Sequence, residues 1–435
     1  MFEELSPSTR PRGAAHFRLP LVLTLFVYMI FVALAAYAGF YQPAMWHLGV
    51  PVKEQIFIDM YGPLSWLECA ANGIDVIAAD PCDVSGPPFN YGHGVLLLQG
   101  IGLTTGDTLW LGATTAVLFF ATLLVLLKPA TGLQAAYCCT LVISSSVIFA
   151  VERANLDVVI FVLLTFSAML LTRRSALRFG AYGIIFYVGL IKFYPWAVLA
   201  LALRERTRTC LVVIALSTVA LLLYAISFSS ELAIILSRFT GAGHLVSFSG
   251  HDLVNFLNRM TYRLFGQRWL VSPNVYLVAR VGLAIACILA AFAARRFIIR
   301  GGAVLKGARI DITLFLIGAV VISFCFLFGN NFTYRCIFLL LCVPLLLRTR
   351  TLDPPRNRMT GRVSWSLLAL IAIVLWSNAF LFNIPPDDTL VRRIAFALTW
   401  LAIEAASLVL VVLLTAYVWD LVLNARIFRP ARPDS

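Results

Sequence analysis

Charge is what this 435-residue sequence has least of, since Asp, Glu, Lys and Arg together make up only 13% of it. A soluble globular chain carries about 25%. With 61% of its residues hydrophobic and a mean hydropathy of +0.90, the chain has far more apolar side chain than a water-soluble core hides. Other absences narrow the chemistry. No Gly-rich phosphate loop and no Ser-His-Asp order occurs, so nucleotide and triad chemistry lack their carriers. His93, His244 and His251 have no paired ligand spacing, and Asp80 and Asp83 flank Cys82 in a Pro-rich loop where they shape a turn, so neither metal nor cofactor is expected. No basic stretch is interleaved with stacking aromatics, which argues against nucleic acid despite a net charge of +13. Internal repeats, low-complexity runs and a separate soluble domain are missing too.

What the sequence has is long apolar runs. At about 1.5 Å of rise per residue, roughly 20 residues cross a hydrocarbon slab of about 30 Å. Spans are expected at 19–40, 109–127, 134–150, 156–171, 211–228, 276–294, 312–328, 336–347, 363–382 and 395–421. Residues 19–40 are too long for a signal h-region and lack a clean small-residue cleavage site, so they read as a span that stays. The expectation is an all-α polytopic membrane protein, one transmembrane domain over 1–435, with about ten spans. Residues 41–106 and 229–275 form two long external segments.

Charge orients this layout. Of 34 Lys and Arg, 23 fall in the segments assigned to the cytoplasm, and most loop acids fall outside. By the positive-inside rule both termini are then cytoplasmic, in an inner membrane whose other face is the periplasm. Residues 179–203 have Arg clusters at both ends, and a single crossing there would invert every later loop. A hairpin of two short helices broken at Tyr194-Pro195 resolves the conflict, because proline removes a helical hydrogen bond. It raises the count to twelve if its arms are counted. Lys192 then sits near the tip, and broken backbone at that depth points to a protein-lined cavity on the outer side.

Seven of nine cysteines lie in or at the ends of spans and read as apolar fillers. Cys69 and Cys82 share the first external loop and are expected to form a disulfide worth about 3 kcal/mol, two free thiols being the alternative.

Ionisable groups near lipid are costly unless they have a partner or a task. Asp59, in Ile56-Phe57-Ile58-Asp59-Met60-Tyr61, has apolar neighbours. It reads either as a general base for an acceptor hydroxyl or as a helix cap or salt-bridge partner. Glu152-Arg153-Ala154-Asn155-Leu156-Asp157 wedges three charges between two spans. Lys192-Phe193-Tyr194-Pro195 marks the hairpin break, and Asn330-Asn331-Phe332-Thr333-Tyr334-Arg335 forms another tight external turn. Arg153, Lys192 and Arg335 thus reach one membrane depth. Together they suit a phosphate or diphosphate at the lipid surface; singly, each neutralises a neighbouring carboxylate such as Glu152 or Asp157.

These motifs, with Gly73-Ile74-Asp75-Val76, Phe89-Asn90-Tyr91 and Ser249-Gly250-His251-Asp252-Leu253-Val254-Asn255-Phe256, resemble the GT-C glycosyltransferases. Among these the chain is most similar to family 87, the DUF2029 group with its polyprenol-phosphate-mannose-dependent α-mannosyltransferases. The likeness spans nearly the whole chain, through short motifs whose order carries it. It implies a mannose-like hexose moved from a polyprenyl-phosphate carrier to a glycolipid, glycan or other cell-envelope acceptor on the outer face. Asp59 matches the family's essential first-loop aspartate, the base of an inverting displacement. Arg335, Lys192 and Arg153 would hold the donor phosphate. Tyr91, Asn90, His93, Glu152, Asn155, Asp157, Tyr194, Asn331, Tyr334 and His251 would line the acceptor and sugar sites. The chain departs from the family at the 69–82 insertion and at Gly92-His93, where many relatives have Tyr-Pro-Pro, and it has no DxD or ExD pair. A lipid-linked oligosaccharide polymerase or ligase and a lipid or sugar transporter are the rival readings. The first would spare an Asp59→Asn change, and the second usually shows two matched halves.

Overall fold

A computed structural model of the protein describes residues 18–78, 82, 89–173, 175–238, 245–250, 252–256, 258, 273–300, 308–329, 331–352, 358–384 and 389–424. In a lipid environment each backbone N–H needs a partner within its own segment, and helix supplies one. The chain begins with α1 (Leu19–Tyr37), α2 (Tyr41–His47) and α3 (Ile58–Ala71), then 3₁₀ turns at Leu96–Ile101 and Thr105–Asp107. Next come α4 (Thr108–Leu126), α5 (Gly132–Val142), α6 (Ser145–Glu152), α7 (Leu156–Leu171) and α8 (Ser175–Ile191). A 3₁₀ segment, Tyr194–Arg204, leads to α9 (Thr207–Ser227), α10 (Ser229–Ser237) and β1 (Ser247–Phe248). Then follow α11 (Pro273–Arg300), α12 (Arg309–Phe328), β2 (Asn331–Phe332) and a second 3₁₀ segment, Thr333–Leu341. The chain closes with α13 (Val343–Leu352), α14 (Arg358–Leu375), α15 (Ser377–Phe382) and α16 (Leu390–Leu423).

Six described stretches are long and apolar enough to cross a membrane: Leu19–Tyr37, Thr105–Leu126, Thr207–Ser227, Leu277–Arg296, Arg309–Phe328 and Val391–Leu423. The pair α5 and α6, bent by 45° at its break, makes a seventh if taken as one span. The crossings expected at 156–171 and 363–382 fall on shorter apolar helices, Leu156–Leu171 and Gly361–Leu375. Only 11% of the apolar window is buried in α1, α9 and α11. Outward faces so apolar are what lipid covers and water does not. The chain is an all-α membrane protein.

The segment expected to form a hairpin divides into α8 and the Tyr194–Arg204 3₁₀ segment, packed together, with the break at Lys192 and Phe193 and not at Tyr194-Pro195. Its second arm is 3₁₀ and not α, and Pro195 stands in its first turn. The span expected over 336–347 also divides, into 3₁₀ as far as Leu341 and α from Val343. Pro344 has no N–H to give an α ladder running through it, so the α-helix starts there instead.

By Cα packing the chain forms two compact units. One holds residues 1–52, 123–150 and 242–420. Its core is α12, whose window is 83% buried, packed on the 3₁₀ segment in which Cys336–Leu341 are wholly buried. Helix α5 is tied into it by Gln134 donating to the Leu347 carbonyl at 3.2 Å and Tyr137 to that of Leu368 at 2.6 Å. Strands β1 and β2 pair antiparallel, Ser247 opposite Phe332 and Phe248 opposite Asn331.

The other unit holds residues 53–122, 151–241 and 421–435. Here α7 packs along α8, and α8 along the Tyr194–Arg204 segment. The Trp196 indole donates to the Phe186 carbonyl at 3.0 Å, which fastens the hairpin's two arms. An apolar cluster of Trp66, Cys69, Val76, Ile77, Phe89 and Ile235 supports the loop after α3, with Tyr91 and Phe193 packed against it. Cys69 and Cys82 are joined as a disulfide, their Cα atoms 6.1 Å apart.

Candidate functional site

Two loops of the second unit meet through their backbones. The Phe57 N–H donates to the Glu152 carbonyl at 3.2 Å and the Asp59 N–H to that of Arg153 at 3.1 Å. Each loop carries a non-glycine residue in the left-handed region, Phe57 at φ 60° and Ala154 at φ 45°. Such backbone costs about 1–2 kcal/mol per residue and persists where its surroundings over-determine it. The Phe57 ring lies against Gly112, in space that a side chain there would fill. This strain places Asp59 in the first turn of α3 and points Arg153 and Asn155 toward it.

Arg153 Nη1 lies 3.2 Å from Asp59 Oδ1, and Asn155 Nδ2 donates to Oδ2 at 2.7 Å. Asn155 is also the N-cap of α7, its Oδ1 accepting from the Asp157 N–H at 3.0 Å. The same oxygen accepts from Lys192 Nζ at 2.7 Å. Lys192 donates as well to Asp157 Oδ1 at 2.7 Å, and the Tyr194 hydroxyl donates there at 2.9 Å. The Tyr91 ring lies 4.8 Å from Lys192 Nζ, within cation–π range. One continuous network therefore runs from Asp59 through Asn155 to Lys192, Asp157 and Tyr194. Asp157 and Asn155 are sealed, whereas the Asp59 side chain keeps 23% of its surface exposed.

Pairing refines the expected roles. Lys192 is matched by Asp157, one of the two neutralisers considered for it, while Arg153 Nη1 is paired with Asp59. Glu152 is 6% exposed, and its Oε2 is buried without a hydrogen bond among the described residues.

Gly92-His93, where the sequence departs from the resemblance, has with Gly94 a backbone task. The N–H groups of Gly92 and Gly94 donate to the carbonyls of Ile191 and Leu190, each at 2.9 Å, and satisfy the end of α8 beside Lys192. A Cβ at Gly94 would stand 2.7 Å from the Leu190 carbonyl carbon, and one at Gly92 closer still to the Leu190 oxygen. His93 projects from this cap. Its Nε2 meets the Glu231 carboxylate, its Nδ1 is 2.9 Å from the Tyr224 hydroxyl, and its ring packs 4.2 Å from Phe228. A carboxylate only accepts, so Nε2 carries the hydrogen. Asn90 is half-buried beside Tyr91.

Asn331, Tyr334 and Arg335 belong to the other unit. The strand pair and the Thr333 N–H, which donates to the Val246 carbonyl at 2.8 Å, set the 331–335 motif beside the 249–256 motif. Asn331 donates to the Cys325 carbonyl, and the Tyr334 ring stacks on Phe332 with centroids 5.1 Å apart. Arg335 is half-buried, and His251 lies outside the described residues. Among the described residues no group of three or more His, Cys, Asp or Glu is placed to hold a metal ion. Glu231, Tyr224 and the buried Glu404 of α16 were not singled out from the sequence. For Glu404 the signal was there, a carboxyl inside an apolar span. Comparison with protein-family models, curated proteins and solved structures finds no match.

Proposed function

We propose that the protein is a membrane glycosyltransferase, moving a hexose of the mannose type from a polyprenyl-phosphate carrier to an acceptor hydroxyl on the periplasmic face of an inner membrane. The observation that carries this reading is the bridge through Asn155 from a partly exposed carboxylate, Asp59, to a buried cation, Lys192. A proton acceptor and a positive pole held in one rigid network are what a single displacement needs. The attacking hydroxyl must lose a proton, and the departing phosphate gains charge. Asp59 is the proposed base, with Lys192 and Arg153 the cations for the phosphate. To act, Asp59 loosens one of its two bonds, and Lys192 shares itself between Asp157 and the incoming anion. A lipid phosphate is a good leaving group and brings its own driving energy, so no general acid is required.

A transporter for lipid or sugar is the second reading. It is favoured by the fact that Arg153 and Lys192 are each already matched by a carboxylate. Purified protein in lipid, offered a panel of polyprenyl-phosphate sugars and scored for release of lipid phosphate, separates the two. Release with one donor supports the transferase, and silence with all of them from folded protein supports the transporter.

A further inference from the structure

We propose that Glu152 is the proton-holding residue of this site: it receives, through Asp59, the proton that the acceptor hydroxyl loses. The inference rests on the transferase reading. It starts from an imbalance, because the two meeting loops and the hairpin tip bring three carboxyl groups, Asp59, Glu152 and Asp157, to two cations, Arg153 and Lys192. Asp59 and Asp157 take the cations. Glu152 is left, 6% exposed, with Oε2 buried and unbonded among the described residues. The Phe57-to-Glu152 and Asp59-to-Arg153 backbone bonds set its backbone beside that of Asp59, and Ala154, two residues on, holds its strained conformation.

A filler at that position has no need of a carboxyl, and a buried ionised one without a partner is costly. Asp59 is already engaged, paired with Arg153 and accepting from Asn155. Glu152 Oε2 has no hydrogen bond to lose among the described residues. In the step, the acceptor oxygen bonds to the anomeric carbon, and the carbon–phosphate-oxygen bond breaks with its electron pair going to the phosphate. The hydroxyl proton passes to Asp59 and on to Glu152, restoring the Asp59–Arg153 pair. It leaves to water by the partly exposed face of Asp59 after product departs.

The test is Glu152→Gln, which keeps the shape and neutral hydrogen-bonding capacity of a filler but holds no transferable proton. The variant is purified in lipid beside the unaltered protein and assayed, across pH, with the polyprenyl-phosphate sugar that the unaltered protein turns over. The inference expects kcat lower by about 100-fold, donor KM little changed, the acid limb of the kcat profile lost, and Glu152→Asp restoring much of the rate with that limb displaced. A Glu152→Gln protein with the kcat and pH profile of the unaltered one overturns the inference. Should Glu152→Gln not fold, Glu152→Asp decides: a displaced limb supports the role, and an identical rate and limb overturn it. If the unaltered protein turns over no donor at all, the transferase reading falls and takes this inference with it.

Discussion

The Asn155 carboxamide donates to Asp59 across 2.7 Å while its oxygen is occupied by Lys192, so a single side chain couples the candidate base to the candidate cation. It also caps α7, and an N-cap Asn→Ala change alone costs about 1 kcal/mol. Asn155→Ala is therefore expected to lower stability by more than a cap's worth and to cut transfer at least tenfold. Asn155→Asp is expected to be worse for transfer, since it sets a second carboxylate against Asp59. Thermal unfolding in detergent and donor turnover, measured on both variants, check the two expectations separately.

Lys192 and Asp157 form a pair sealed from water, and removing one partner leaves a buried charge. Lys192→Met is expected to destabilise by about 3–5 kcal/mol. Adding Asp157→Leu to it is expected to recover part of that loss, although neither variant transfers sugar. A double-mutant cycle on unfolding midpoints reads the coupling.

Gly92 and Gly94 lie so close to Leu190 that a methyl group at either must displace the α8 terminus. Gly94→Ala is expected to cost about 1–3 kcal/mol, as overpacking does, and to shift Tyr91 away from Lys192. Loss of Tyr91 shielding is read as faster quenching or labelling of that tyrosine, with a lowered melting temperature.

The Cys69–Cys82 disulfide closes a loop whose Val76 and Ile77 pack in one cluster with Trp66 and Phe89, with Tyr91 against it. The Cys69→Ser, Cys82→Ser double variant is expected to lose about 3 kcal/mol and to lower turnover through a disordered Tyr91. Reducing agent is expected to act the same way on the unaltered protein and to leave the double variant unaffected.

The sequence made some of this legible and not the rest. Helix content and the apolar spans follow from composition, and Lys192 at a helix break follows from Pro195. The Asn155 cap is readable too, from Asn-Leu-Asp ahead of an apolar run. By contrast, the Asp59–Arg153 pair joins residues 94 positions apart, and the His93–Glu231 pair joins residues 138 apart. No local pattern encodes either. The left-handed Phe57 and Ala154 were hidden because neither is a residue type that marks such backbone. Gly92-His93 read only as a departure from the resemblance, yet Gly92 and Gly94 serve a helix end that lies about a hundred residues away and becomes a neighbour only on folding.

The most direct test compares unaltered protein with Asp59→Asn, which keeps the bond from Asn155 possible but removes the base. Both are reconstituted in lipid with the polyprenyl-phosphate sugar that the unaltered protein turns over. The account predicts folded Asp59→Asn protein whose transfer is lower by about 10³-fold. Transfer by Asp59→Asn at the unaltered rate would contradict it.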